Sequence, residues 1–469
     1  MSKGSRLAKG TVIYAIGNFG TKLIAFLIVP LYTYYISPDD MGDYDILMST
    51  IALLTPIITM RISDAAYRWM LHHIEEDRLC ISAAYRVMII SSIISLGLTL
   101  LVNAFVPIKF CAYFCVLLIL GRWLESLQTL LRGLEERKLF AVSGLLYTGI
   151  FVTLNVIKIV VFGEGVTAML QSTAISEIIV IVFILVCTPQ LRTKVISDSD
   201  NRQLTKSMLA YSAPLVPSGL SWWVMGLSDR YVVRYYLGPA LTGIYAVANK
   251  FPSIMTMVFA IFNNAWTDLA LADLKEGSET SEYSSLVFEK LYRLSFSFVL
   301  FLIPATKLFA GNVLGEAYRS AAVYIGFLYL GSVFQGFTSF ISAGLLQGTD
   351  TRPIAGSSMA GAAVNLIIDI CMIGFIGLHA ASISTFCGFF IMWLVRMREV
   401  NRTAPVNIKY GEFGCFLLLS VVMAAVTVFT GFITDVVLSA VFLAVFVVLN
   451  APLIKEIISK GRPGGIFGS

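Results

Sequence analysis

Two basic side chains stand inside long apolar stretches of the sequence, where a charge is costly. Lys22 lies near the middle of the apolar run 11–36 and Lys250 near the middle of the run 239–266. Neither has an acidic residue three or four positions away. A charge at the centre of a bilayer costs about 2.5–3.5 kcal/mol on insertion scales, so such residues face protein or water rather than lipid. Ammonium groups in that setting are suited to binding an anionic group such as a phosphate.

Arg122 and Lys158 are two further cations within apolar stretches. Arg122 stands three residues before Glu125, and the two either neutralise each other or face an aqueous space. Lys158 either extends from its helix end to the interface or lines the same space. The polar amides in these stretches, candidates for lining a cavity, are Asn18, Asn155, Asn249 and Gln335.

Four acidic residues also fall within apolar stretches, namely Glu125, Glu177, Asp229 and Asp369. Asp229 is followed by Arg230, and this pair is either an interface anchor with its counter-ion or part of a polar site. The three His and seven Cys form no CxxC pair or other cluster of metal-binding spacing. No Walker A or GxGxxG motif occurs. The sequence therefore predicts no metal site and no cofactor.

The composition is that of a membrane protein. Hydrophobic residues make up 57% of the 469 residues and charged residues 13%, against about 25% charged in soluble proteins. Mean hydropathy is +0.81. We interpret the net charge of +5 as a consequence of membrane orientation, in which Lys and Arg collect on the cytoplasmic side, and not as a sign of nucleic-acid binding.

A helical span needs about 20 apolar residues, and we count about fourteen such stretches. They are 11–36, 42–62, 84–106, 110–131, 139–162, 166–188, 207–236, 239–266, 287–309, 318–346, 354–377, 379–397, 411–432 and 434–454. With this count, 25 Lys and Arg fall on the side of the N-terminus and five on the other. The positive-inside rule then places both termini in the cytoplasm.

The chain contains an internal repeat. Tyr34, Tyr35, Pro38, Gly42 and Tyr44 recur 201 positions later as Tyr235, Tyr236, Pro239, Gly243 and Tyr245. Six predicted spans precede the second copy, so both halves enter the membrane in the same direction as parallel repeats. We predict a six-helix lobe at 1–200, a second at 201–400, and two extra spans with a cytoplasmic tail at 401–469. The short loops leave no room for an outer catalytic domain, which argues against an enzyme.

Three segments resemble the bacterial polysaccharide-transport flippases, which belong with multidrug extruders and lipid II flippases to one superfamily. They are 19–45 (FGTKLIAFLIVPLYTYYISPDDMGDYD), 130–144 (LLRGLEERKLFAVSG) and 213–252 (APLVPSGLSWWVMGLSDRYVVRYYLGPALTGIYAVANKFP). The resemblance implies two six-helix lobes in a V around a central cavity. It implies a flippase that moves polyprenyl-pyrophosphate-linked oligosaccharides, such as O-antigen units, to the outer leaflet by alternating access, for cell-surface polysaccharide biosynthesis.

The resemblance also implies roles for residues and partners. The family's cavity cations map onto Lys22 and Lys250, with Arg122 and Lys158 as further members. Glu125, Glu177, Asp229 and Asp369 become candidates for ion or proton coupling. Expected partners are the lipid-linked oligosaccharide, the bilayer, a polysaccharide polymerase and chain-length machinery, in the bacterial cytoplasmic membrane. The rival interpretation is a cation-coupled multidrug extruder of the same superfamily, which would favour an acidic or aromatic cavity.

Overall fold

The computed structural model describes residues 24, 26–72, 74–196, 198–272, 278–345, 352–402 and 405–460. Every regular element in those ranges is helical, which confirms the all-α prediction. The chain divides into two compact units, Met1–Trp223 and Val224–Ser469. The boundary falls within the seventh predicted span.

The helices of the first unit are mostly long enough to cross a bilayer. They are α1 (Val29–Tyr35), α2 (Pro38–Thr59), α3 (Ile62–Leu71), α4 (Asp77–Phe105), α5 (Cys111–Gly133), α6 (Arg137–Val156) with a π-helical end (Ile157–Val161), α7 (Val166–Cys187), a 3-10 turn (Pro189–Arg192), α8 (Ser199–Ser212) and a 3-10 turn (Ala213–Leu215).

The second unit begins within α9 and contains the remaining helices. They are α9 (Val216–Leu227), α10 (Asp229–Leu237), α11 (Pro239–Ala248), α12 (Ser253–Ala272), α13 (Ser278–Val313), a 3-10 helix (Glu316–Tyr324), α14 (Ile325–Leu345), α15 (Arg352–Ile376), α16 (His379–Val400), α17 (Tyr410–Val426) and α18 (Phe432–Lys460).

Both copies of the sequence repeat form a tight turn between two helices. In the first, α2 begins with Pro38 at its first turn, and the Ser37 hydroxyl caps it by accepting from the Asp40 amide at 3.2 Å. In the second, Gly238 separates α10 from α11 at a φ of 86°, a conformation that glycine adopts without strain, and Pro239 follows. Both turns lie where the repeated Pro38 and Pro239 predict them, whereas the repeated Gly42 and Gly243 lie within α2 and α11.

Ten helices among the described residues are long and apolar enough to span a membrane, and Tyr410–Val426 is a shorter apolar helix. The count of fourteen spans stays a prediction, since most of the first predicted span lies outside the described residues. Two other predicted spans are interrupted in the structure. The stretch 207–236 is divided among α8, a 3-10 turn, α9 and α10. Pro214 and Pro217 lack the amide hydrogens that an unbroken helix needs there.

The second broken stretch is 239–266, which divides into α11 and α12 around residues 249–252. The amides of Lys250 and Phe251 bond three residues back, to Val247 and Ala248, so the helix tightens before Pro252. Lys250 consequently lies in a turn and has an exposed side chain. The break matters because irregular backbone at membrane depth is tolerated only where it is buried in protein or lines a water-filled space.

The two C-terminal helices, α17 and α18, pack on the second unit. Phe413 of α17 enters an aromatic cluster with Phe296, Phe337 and Trp393, at ring-centroid distances of 5.4, 6.2 and 5.2 Å. Lys307 of α13 pairs with Asp435 of α18 at 3.0 Å. The expectation that both helices face lipid on most sides holds best for α18, of which only 6% of the apolar stretch is buried.

Candidate functional site

The strongest polar site of the second unit is centred on Asp229, the first residue of α10. Its side chain is 2% exposed. Oδ1 accepts from the Arg230 guanidinium at 3.0 Å, and Arg230 also donates to the Gly226 carbonyl at 2.7 Å. Oδ2 accepts from the Tyr245 hydroxyl and from Thr385 Oγ1, the latter at 3.4 Å. The interface-anchor interpretation does not fit, since both members of the Asp229–Arg230 pair are buried.

A second carboxylate, Asp369 of α15, lies close enough to Asp229 for the two charges to repel each other. Asp369 is 1% exposed, and its Oδ1 has no hydrogen-bond partner among the described residues. Asn365 lies one helical turn earlier on the same face of α15 and is fully buried. Its amide nitrogen donates to Ser384 Oγ at 3.3 Å, while its Oδ1 is likewise without a described partner.

Close packing of α15 against α16 holds these side chains in place. A Cβ built on Gly361 would lie 2.8 Å from the Gly388 carbonyl, and one on Gly388 would lie 2.9 Å from Asn365 Cβ. Contacts this short are not seen for real Cβ atoms, so only glycine permits the two helices to approach this closely. The approach presents Thr385 of α16 and Asn365 of α15 towards the same polar region.

The arrangement can bind a monovalent cation or a proton. The charges of Asp229, Arg230 and Asp369 sum to −1, and an uncompensated buried carboxylate is several kcal/mol costly. Carboxylate, amide and hydroxyl oxygens are hard ligands that suit hard cations. The described residues contain no group of three or more His, Cys, Asp and Glu arranged to hold a metal ion. When both carboxyls are ionised, the site carries one excess negative charge, which fits a monovalent cation or a proton.

The first unit contains a separate buried carboxyl, that of Glu177 on α7. The residue is 7% exposed, and its Oε2 has no partner among the described residues. Gly121 of α5 faces it, since a Cβ there would lie 3.1 Å from Oε1. Tyr44 and Tyr147 both lie close to Thr173 and to Glu177. The first unit thus also has a buried acid in a setting of hydroxyl groups.

Arg122 of α5 does not pair with Glu125 in the described structure. Arg122 is 2% exposed, donates to Ser95 Oγ at 2.9 Å and to the Leu118 carbonyl, and leaves Nη1 buried without a partner. Glu125 is exposed on the same helix. Asn155 of α6 is fully buried and donates to the Phe151 carbonyl at 2.8 Å. In this conformation Arg122 is therefore a buried cation and lines no open space.

The remaining predicted residues lie in different places. Lys158 pairs with Glu164 at 3.3 Å and donates to Gln171, so it does not simply extend to an interface. Asn249 precedes Lys250 at the break between α11 and α12 and donates to the Tyr245 carbonyl at 2.9 Å. Gln335 is half-buried in α14. Lys22 and Asn18 lie outside the described residues.

Two residues of the Asp229 site, Tyr245 and Thr385, were not predicted as site residues, because hydroxyl side chains are common in apolar helices. Arg396 was counted among the cytoplasmic cations in the topology argument, but it is 1% exposed. Its guanidinium donates to Ser342, Ser357 and Ser358, and to the Thr338 and Ile354 carbonyls. It joins α14, α15 and α16.

Solved structures show which fold these helices form. The lipid II flippase MurJ in an inward closed conformation matches with a TM-score of 0.68 and 14% identity, over 94% of this chain and all of that one. An inward-facing multidrug resistance MATE family transporter of the MOP superfamily matches with a TM-score of 0.63 and 14% identity, over 88% of this chain and 96% of that one. The fold is that of these multi-pass membrane proteins, as predicted.

The sequence comparisons identify the family. The profile of the polysaccharide biosynthesis protein family matches residues 7–267, more than half of the chain. The chain therefore belongs to this family. It is also 23% identical over 455 residues to an uncharacterized membrane protein, MJ1068, of Methanocaldococcus jannaschii, with 86% of this chain and 85% of that protein covered.

Proposed function

We propose that this protein is a flippase that carries polyprenyl-pyrophosphate-linked oligosaccharide units from the cytoplasmic to the outer leaflet, for cell-surface polysaccharide synthesis. The observation that carries the proposal is membership of the polysaccharide biosynthesis family. The likeness in fold to a lipid II flippase over the full length of that protein is consistent with it. Both termini are proposed to lie in the cytoplasm.

The broken helix at Lys250 supports a phosphate-bearing cargo. The turn between α11 and α12 interrupts an apolar stretch, and irregular backbone at membrane depth is tolerated only where it is buried in protein or lines a water-filled space. Lys250 is exposed at this turn. We propose that it binds the pyrophosphate as the headgroup passes, with Lys22 as its counterpart in the first half.

The Asp229–Asp369 site supplies a means of coupling. Its excess negative charge is compensated when a proton or a sodium-sized cation binds, and is exposed again when that ion leaves. Glu177 is the corresponding candidate in the first unit. We propose that ion exchange at these acids biases the protein between inward- and outward-open states.

The multidrug alternative is tested by the cargo. Purified protein in proteoliposomes is supplied with a fluorescent prenyl-pyrophosphate oligosaccharide, and flipping is read from protection against a membrane-impermeant quencher. Ethidium accumulation is measured in parallel. Flipping of the lipid-linked sugar without ethidium transport supports the proposal. Ethidium transport without flipping would establish the drug extruder instead.

A further inference from the structure

A basic cavity lies where α4 begins and α7 ends, apart from every residue assigned above. Its volume is about 630 Å³, and its lining includes the basic side chains of Arg78, Arg192 and Lys194 and a single acid, Asp77. Pro189 adds exposed apolar surface to the same lining, while Ile81, which is 1% exposed, belongs to the core beneath it. A net positive, partly apolar cavity is suited to an anionic headgroup attached to a hydrocarbon chain.

The walls of this cavity are tied together by hydrogen bonds. The segment after α7 is held on α4 by Tyr85, which donates to the Leu191 carbonyl at 2.8 Å, and by Ser82, which accepts from the Ile196 amide at 2.7 Å. Arg86 donates to the Ile196 carbonyl as well. These hydrogen bonds therefore hold the walls of the cavity in a defined arrangement within the first unit.

Arg192 is also fixed in position. Its Nε donates to the Leu185 carbonyl at 2.7 Å and its Nη2 to the Val186 carbonyl at 2.5 Å, so it caps the last turn of α7. Arg78 and Lys194 are exposed on the other parts of the lining. A cation whose rotamer is already ordered loses less entropy when a ligand binds.

The position of the cavity favours the phosphate of a lipid headgroup over a soluble phosphate. The helices α4 and α7 both have strongly apolar stretches, with mean hydropathy of 2.1 and 2.2, and the cavity lies at the ends where these stretches stop. That level corresponds to lipid headgroups, and basic pockets between spanning helices bind anionic headgroups there. A soluble phosphate would gain nothing from the exposed Pro189.

We propose that this cavity binds the phosphate headgroup of a membrane lipid. Binding of a phospholipid here does not depend on transport and can hold or fail separately from the flippase function, whereas binding of a prenyl pyrophosphate rests on the proposed cargo. The ligand is an anionic phospholipid or a prenyl pyrophosphate, which share the phosphate chemistry and differ in the rest of the molecule. Arg78 and Lys194 supply charge at the rim, while Arg192 supplies a fixed donor.

The test compares two double variants of the full-length protein in neutral detergent. Arg78→Gln/Lys194→Gln removes two charges from the cavity, and Arg202→Gln/Lys206→Gln removes two exposed charges from the nearby α8. Affinities for phosphatidylglycerol and for a prenyl pyrophosphate are measured by native mass spectrometry, with inorganic pyrophosphate as competitor. Thermal unfolding shows that both variants are folded.

We expect the cavity variant to bind at least one of the two lipids about 30-fold more weakly, since each interfacial charge contributes about 1 kcal/mol. The α8 variant should bind as the wild type does. The lipid that responds identifies the natural source. Wild-type binding of both lipids by the cavity variant, equal loss in both variants, or no lipid binding at all would overturn the proposal.

Discussion

The hydroxyl of Tyr245 donates to Oδ2 of Asp229, sixteen residues earlier in the chain. The bond connects α11 to α10 across the turn at Gly238 and Pro239, and both side chains are buried. The second copy of the sequence repeat therefore does more than form a turn. Its last repeated tyrosine, Tyr245, orients the carboxylate of the proposed coupling site.

Replacement of Tyr245 by Phe should destabilise the second unit. The change removes one of the two donors to Oδ2 of Asp229 described above, and a hydrogen bond to a charged group contributes about 1.5–3 kcal/mol. Thermal unfolding of the purified protein measures the loss. Tyr410→Phe is the matched control, since Tyr410 is 69% exposed. Equal stability of the two variants would mean that the Tyr245–Asp229 bond contributes nothing.

A methyl group at Gly388 should be damaging, whereas one at Gly374 should be harmless. The Cβ of Gly388→Ala would approach Asn365 Cβ and the Gly361 carbonyl to 2.9 and 3.0 Å, and overpacking of this kind costs about 1–3 kcal/mol. Nothing lies within 4 Å of the Cβ position at Gly374, so alanine there should raise stability slightly through helix propensity. Unfolding temperatures of both variants decide the matter, and a stable Gly388→Ala would contradict the packing described.

Substitutions of Arg396 test whether its charge or its arrangement of hydrogen bonds stabilises the protein. Lysine at this position keeps the charge, but one ammonium group cannot reach three serine hydroxyls and two carbonyls. We therefore expect the free energy of unfolding to fall by about 3 kcal/mol. Methionine removes the buried charge together with the hydrogen bonds of Arg396. The Arg396→Met variant should therefore lose less stability than Arg396→Lys. Arg398→Lys, at an exposed position, should have no effect on unfolding. An Arg396→Lys variant as stable as the wild type would show that the hydrogen bonds of the guanidinium do not contribute to stability.

Lys250→Ala should lower flipping of the lipid-linked sugar at least tenfold and leave the amount of protein in the membrane unchanged, because the proposed pyrophosphate contact is lost. Lys250→Arg keeps the charge and should retain part of the activity. Lys22→Ala is expected to behave in the same way, and Lys206→Ala, on an exposed face of α8, should be active. Full activity of Lys250→Ala in the proteoliposome assay would remove this residue from the site.

The sequence predicted the helices well and the sites only in part. Apolar length identified most of the spanning helices, and the repeated Pro38 and Pro239 identified the turns, because both signals are local. The break at Lys250 was missed, since hydropathy does not report whether a proline interrupts a helix. The link from Asp229 to Tyr245, Asp369 and Thr385 depends on packing between α10, α11, α15 and α16, which no spacing along the chain reveals.

The central claim, ion-coupled flipping through Asp369, is tested most directly by Asp369→Asn in proteoliposomes with an imposed sodium or proton gradient. The amide preserves shape but removes the charge that the ion compensates. The wild type and the exposed control Glu282→Gln should flip the lipid-linked oligosaccharide about tenfold faster with one of the two gradients than without it, whereas Asp369→Asn should flip at one rate in all conditions. Gradient stimulation of Asp369→Asn equal to that of the wild type would contradict the account.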